Sequence, residues 1–246
     1  MPFISASAIS PYNVNSNLVG EKAFTFGNAL KSTSGTEFVD FASGLTPLNN
    51  ATKASVHYWV NVQSGNNAVV GSQLSTIDRF AINISGNDIF FLATLGSISF
   101  GSVSFLPYFG VRTLVSIVFD GAGVTNADRL KGYINGVQQT LTFTGTIPSS
   151  LGANASAFLI NKINFTSFFG KAIYDEIVIT TDTSTPAQIA NFYNGGSGDF
   201  PIYCFNNILA HWDCNQVDGD TTLIPTIGTA VGTLNNFVAP YFVPFI

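Results

Sequence analysis

Apolar and polar residues alternate with a period of two along much of the chain, and helical periodicity is nearly absent. In Ser55–Val62 the residues Val56, Tyr58, Val60 and Val62 fall on one face, and His57, Trp59 and Asn61 on the other. Successive side chains of a strand point to opposite faces. Bulk on both therefore predicts a central strand covered on each side. Similar runs occur at Ala23–Phe26, Phe38–Phe41, Ala68–Leu74, Phe80–Ser85, Ile89–Thr94, Thr113–Asp120, Arg129–Ile134, Val137–Phe143, Phe158–Ile163 and Tyr174–Thr180, separated by Gly, Asn, Ser and Asp. Asn135-Gly136 suits positive φ at both turn centres and predicts a type I′ hairpin. Thr185-Pro186-Ala187-Gln188 reads as a capping box. It opens a helix with an apolar stripe at Ile189, Phe192 and Tyr193 and a stop at Gly195-Gly196. The pattern predicts an all-β fold: an antiparallel two-sheet jelly-roll sandwich with one short helix.

Two stretches test that reading. Ile89–Val111 holds 23 positions without a charge, long enough to cross a bilayer as a helix. Its texture is that of strands, because Ile98 and Phe100 alternate with Ser97, Ser99 and Gly101, and Pro107 interrupts it. No membrane span is expected. Thr221–Ile246 is likewise uncharged and ends in the apolar run 237–246. Such a tail must dock, on its own body or on a neighbour. Pro240 and Pro244 cannot donate to a ladder, which argues against a central strand there. The expected organisation is an N-terminal arm at 1–20, a sandwich over 21–236, and an apolar docking tail at 237–246. Phe237, Tyr241, Phe242 and Phe245 are its candidate assembly residues.

Composition sharpens the expected partners. The 246 residues carry 9 basic and 14 acidic side chains, a charged share of 9% against about 25% in ordinary soluble domains. A net charge of −5 gives no basic field for a phosphate backbone, so nucleic acid is not an expected partner. With a mean hydropathy of +0.32 and 23 Phe, part of the surface is expected to be buried against partner subunits or further copies of the chain. The first twenty residues contain no basic residue and no long apolar run, so no signal peptide is expected.

The chemistry-bearing residues are few. Glycoside hydrolysis needs two carboxylates facing across a sugar bond, whereas Asp175 and Glu176 are adjacent and on a regular strand point to opposite faces. His57 and His211 each sit near a tryptophan, Trp59 and Trp212, and read as packing residues. Cys214 lies three residues from His211, a strand spacing that does not share a face, so no catalytic dyad is expected. Cys204 and Cys214 form one disulfide or remain two thiols, and no second pair completes a four-sulfur zinc site. His57, Trp59 and Asn61 are candidate glycan-binding residues if their face of the strand is open; its bulk favours core packing. Asn50, Asn83, Asn154 and Asn164 stand in glycosylation sequons.

Four segments, in order, carry a family likeness: Ala54-Ser55-Val56-His57-Tyr58-Trp59-Val60; Val118-Phe119-Asp120-Gly121 followed by Gly132-Tyr133-Ile134-Asn135-Gly136; the run Phe169 to Ile179; and Phe192-Tyr193-Asn194-Gly195. Together they resemble laminin-G-like jelly rolls of the concanavalin A-like lectin/glucanase superfamily. Where family members often carry Trp-His, this chain has Arg112-Thr113-Leu114. Residues 207–236, with Ile208–Asp213, Asp218–Thr222 and Gly232–Asn236, resemble the family's opening strand segment, placed here after the helix. That order resembles bacteriophage virion proteins. The segment either closes the sandwich in cis or pairs with another subunit; closure in cis is favoured, because open sheet edges are costly. No cofactor is expected to be required, though the resemblance points to one metal: it allows a structural calcium ion, for which Asp213, Asp218 and Asp220 are the candidate ligands. The expected function is a non-catalytic structural or interaction subunit on a virion surface, as a capsid-associated, fibre or tail protein. The alternative is a calcium-dependent, lectin-like module that binds host glycans.

Overall fold

The structure, a computed structural model, describes residues 24–33, 35–42, 44–75, 77–163 and 170–245. The arm at 1–20 and the sequon residue Asn164 lie outside the described residues. In chain order the strands are β1 (Asn28–Lys31), β2 (Phe38–Phe41), β3 (Lys53–Val62), β4 (Ala68–Ser75), β5 (Asp78–Ser85), β6 (Asp88–Leu95), β7 (Phe100–Ser104) and β8 (Thr113–Asp120). The helix α1 (Asn126–Arg129) leads into β9 (Leu130–Ile134), β10 (Val137–Gln138), β11 (Thr142–Thr144), β12 (Phe158–Ile160) and β13 (Ala172–Thr180). Then come α2 (Pro186–Tyr193), α3 (Pro201–Cys204), β14 (Ile208–Trp212), β15 (Thr222–Leu223), β16 (Gly232–Asn235) and β17 (Phe242–Pro244).

These strands form two sheets. The first has the order β10-β9-β8-β3-β13-β1-β17, with β14 also on β13. The second runs β11-β7-β6-β5-β4-β12-β2-β16-β15. Every described strand pair is antiparallel. The arrangement is the antiparallel two-sheet sandwich that the alternating pattern predicts.

The main core lies between the sheets. Val56, Tyr58, Val60 and Val62 meet Phe80, Ile82, Ile84 and Phe91 there. The alternate residues of β3 enter a second cluster on the opposite face, where Trp59, Leu114, Tyr133 and Val178 are covered by Ile189 and Phe192 of α2. The central strand is therefore buried on both faces, as its bulk requires. The capping box of α2 is formed: Thr185 Oγ1 accepts from Gln188 N, and Gln188 Oε1 accepts from Thr185 N. At the Asn135-Gly136 hairpin both residues have positive φ, 50° and 79°.

Three local expectations are corrected. Two further short helices exist, α1 and α3, so the helix at 186–193 is not alone. The run Val137–Phe143 is not one strand: β10 pairs β9 in the first sheet, while β11 pairs β7 in the second. Ala23–Phe26 does not yield a strand over its described residues; pairing starts at Asn28, and Phe26 instead packs its ring 4.9 Å from Trp59.

The C-terminal segment folds back on its own chain. β14 pairs β13, β16 pairs β2, and β17 takes the free edge of β1. Asp218 Oδ1 accepts from the backbone N–H groups of Tyr241 (2.8 Å) and Phe242 (3.0 Å). The Tyr241 hydroxyl donates to Asp220 O and accepts from Gly219 N. Tyr241, Phe242 and Phe245 are buried, and Phe237 packs partly buried against the main core. Three of these four candidate assembly rings are thus buried within the chain itself, with β17 on the open edge of β1. Pro244 is tolerated because β17 is an edge strand. No helix among the described residues is long and apolar enough to cross a membrane.

Candidate functional site

β13 changes neighbour halfway along. Ile173 and Tyr174 pair with β1, whereas Ile177 to Thr180 pair with β14. At the change, the ladder to β3 is irregular between Asp175 and Val178, and Glu176 has a φ of +47°. A left-handed conformation costs a residue with a side chain roughly 1–2 kcal/mol. A bulge of this kind re-aims side chains. The expectation that the neighbouring acids simply alternate holds only for a regular strand.

The two carboxyl groups have different surroundings. Asp175 is fully buried; its Oδ1 accepts from Glu176 N at 2.9 Å, and its Oδ2 has no partner. Burial first, and the nearby Glu176 carboxylate second, push its pKa well above the usual carboxylate range. Glu176 lines a pocket of about 380 Å³ built from five separate chain segments.

In that pocket His211 and Glu176 are both buried, with His211 Nε2 2.6 Å from Glu176 Oε2. On the other side of the ring, Nδ1 lies 2.6 Å from the Thr226 hydroxyl, which is also 3.2 Å from the carbonyl of His211. A carboxylate only accepts, so Nε2 carries a proton. In the neutral ring Nδ1 then accepts from Thr226. In the charged ring Nδ1 donates to Thr226, whose own proton turns to the His211 carbonyl. Either way the imidazole is fixed at both ends and holds Glu176 in place. The second oxygen of Glu176 has no hydrogen-bond partner among the described residues and is not sealed from the pocket.

The remaining lining mixes polar groups with flat apolar surface. Asp213 Oδ1 accepts from Asn215 N, and Asn215 Oδ1 accepts from Asn28 N, which leaves the amide nitrogen of Asn215 as a donor. Thr25 adds a hydroxyl. Phe24 and Phe200, edge to face at 5.2 Å, form an aromatic wall with Pro201, Ile202 and Ile227.

Of the sequence-predicted site residues only Asp213 lines this pocket. His57 and Trp59 are fully buried beneath the helical layer, so they offer no surface to a glycan. The His57 ring stacks on Phe205 at 4.2 Å, its Nε2 bonds Ser184 Oγ, and burial lowers its pKa to about 3. Trp59 lies between Phe26 and Tyr193. Asn61 accepts from its neighbour Gln63. Of the candidate calcium ligands only Asp213 lines the pocket. Asp218 holds the tail, and Asp220 Oδ2 accepts from Gln216 Nε2 and Val217 N. The three are not brought together, and no group of three or more His, Cys, Asp or Glu side chains is arranged for a metal ion among the described residues. Cys204 and Cys214 are free, buried thiols; burial raises Cys204 to about 12 and Cys214 well up.

Sequence reasoning passed over the residues that do converge. His211 reads as packing, Glu176 as half of an alternating pair, and Phe24, Phe200, Asn215 and Thr226 stand out in no motif. One signal was present: two adjacent acids inside the apolar run of β13 do not fit a regular buried strand.

No family model matches the chain, and no curated protein matches it in sequence. Its fold does match solved structures. A candidate carbohydrate binding protein from Bacteroides ovatus ATCC 8483 superposes with a TM-score of 0.64 at 12% identity, over 87% of this chain and 60% of that one. The chain thus spans about three fifths of that protein's length. A native heptameric SAP-like pentraxin from Limulus polyphemus gives a TM-score of 0.47 at 14% identity, over 84% of this chain and 94% of that one. The binding domain of botulinum neurotoxin DC in complex with SialylT gives 0.44 at 15%, over 69% and 45%. At 12% identity the likeness to the Bacteroides protein is one of fold alone, and the fold is an antiparallel jelly-roll sandwich.

Proposed function

We propose that the chain is a carbohydrate-binding jelly-roll module, and that its ligand occupies the pocket around Glu176, His211 and Asp213. The observation that carries the reading is the pairing, in one cavity, of an unpartnered oxygen on the buried Glu176 with the Phe24–Phe200 wall. A sugar is recognised by just such a mixture: fixed acceptors and donors for its hydroxyls, and ring faces for its C–H surface. Glu176 and Asp213 accept, Asn215 donates, and the aromatic wall receives the apolar face. Strain at Glu176, maintained by the His211 clamp, fits a residue held for binding. The name of the Bacteroides protein that shares the fold points the same way.

This reading is preferred to a virion-surface subunit. The apolar tail that would serve assembly on such a surface is folded into the chain's own sandwich. The test is a glycan array followed by calorimetry on the best ligand. Phe200→Ala is expected to weaken binding about tenfold, the loss of roughly 1.4 kcal/mol of ring contact. Full affinity in Phe200→Ala, or no glycan bound at all, would sink the reading.

A further inference from the structure

The charge in the pocket is one-sided. Its lining contains the carboxyl groups of Glu176 and Asp213 and no lysine or arginine. The β13–β14 ladder ends at Ile177 and Trp212, so Glu176 and Asp213 are the next residues of the two chains, and both line the one cavity. His211 can balance one of the two acids, and it is clamped to Glu176. Asp213 has no ion-pair partner among the described residues. The further oxygen of Glu176, on a side chain only 5% exposed, opens into the same space.

From this juxtaposition we propose that the pocket selects a sugar bearing a free, protonated amine: a hexosamine unit and not its N-acetylated or acidic counterpart. The inference rests on the carbohydrate-binding reading and names its ligand class. An ammonium group supplies the cation that the lining lacks and donates to both carboxylates through charge-assisted hydrogen bonds. Acetylation removes that charge. A sialic or uronic acid brings a third carboxylate against two.

Calorimetry with glucosamine oligomers, N-acetylglucosamine oligomers of equal length, and a sialylated trisaccharide tests the proposal. The free-amine oligomer is expected to bind at least tenfold more tightly than the acetylated one and to lose that advantage at high salt. Asp213→Asn, in a half-buried residue at the pocket wall, should abolish the difference between the two oligomers. Glu176→Gln should do the same, but it removes the partner of a buried histidine, so its circular dichroism and melting curve are compared with the parent's first. Equal affinities for the two oligomers, or preference for the acetylated or sialylated sugar, overturn the proposal. If neutral glycans bind and Phe200→Ala weakens them while charge makes no difference, only this inference fails. If no glycan binds, the carbohydrate reading fails with it.

Discussion

Two buried titratable residues give the native state opposite responses to pH. His57 is neutral in the fold because burial lowers its pKa from 6.5 to about 3. Below pH 6.5 the unfolded chain takes up a proton that the native state refuses. Stability therefore falls as pH drops from 6.5 toward 3, by up to about 1.4 kcal/mol per pH unit. His57→Phe keeps a ring against Phe205 and deletes the titration. Its urea midpoint is expected to depend less on pH between 6 and 4 than the parent's, and an unchanged slope would contradict the assignment. Asp175 acts the other way. Its pKa is raised above 3.8, so the native state holds a proton that the unfolded chain releases. Its contribution to stability is lost as pH rises from about 4 toward the raised value. Asp175→Asn should gain on the parent as pH rises from 4 to 8, and a gap constant across that range would count against a buried, protonated Asp175.

At the scale of elements, the clearest test is the helix that shields Trp59 and His57. Thr185→Ala removes the cap of α2 and is expected to cost about 1 kcal/mol in urea unfolding, with a small red shift of tryptophan emission. This cap was readable because all its parts lie within four residues, as are those of the Asn135-Gly136 turn. The two-sided burial of β3 was readable for a similar reason: its period of two is written in eight consecutive residues. What escaped has no local cause. The bulge at Glu176 arises because β1 and β14 meet β13 end to end, and those neighbours lie at residues 28–31 and 208–212. The crossing between β10 and β11 depends on where β7 lies in the second sheet, and nothing within Val137–Phe143 encodes it. The candidate site inherits both difficulties. Phe24, Glu176, Phe200, His211 and Thr226 come from separate segments, and none sits in a spacing that chemistry alone would select. The candidates that did stand out, His57 and Trp59, stood out for bulk, which here is the mark of a core.

For the whole molecule, the question is where a chain with so few charges and a positive mean hydropathy places its apolar residues. Its apolar residues are consumed twice, once between the sheets and once beneath the helical layer. An exposed ion pair such as Lys53–Asp182, at 3.8 Å and about half exposed at both ends, contributes little. The tail is the critical closure. β17 covers the edge of β1, Phe242 enters the main core, and Phe245 seals the second cluster 5.5 Å from Phe26. Each ring contributes roughly 1.5–3 kcal/mol by burial. Removing residues 237–246 would therefore bare the buried sites of Tyr241, Phe242 and Phe245 together with a row of unpaired backbone groups on β1, the usual template for edge-to-edge association. The intact chain is expected to run as a monomer in light scattering, and the truncated chain to melt earlier and self-associate. Asp218→Ala separates the two effects. It keeps every aromatic ring but strands the N–H groups of Tyr241 and Phe242, at a cost of about 1–3 kcal/mol. Protease should then cut the loosened tail before the body. A truncated chain that stays monomeric with its melting point intact would mean that the tail adds nothing to the sandwich and that its rings are free for a partner after all.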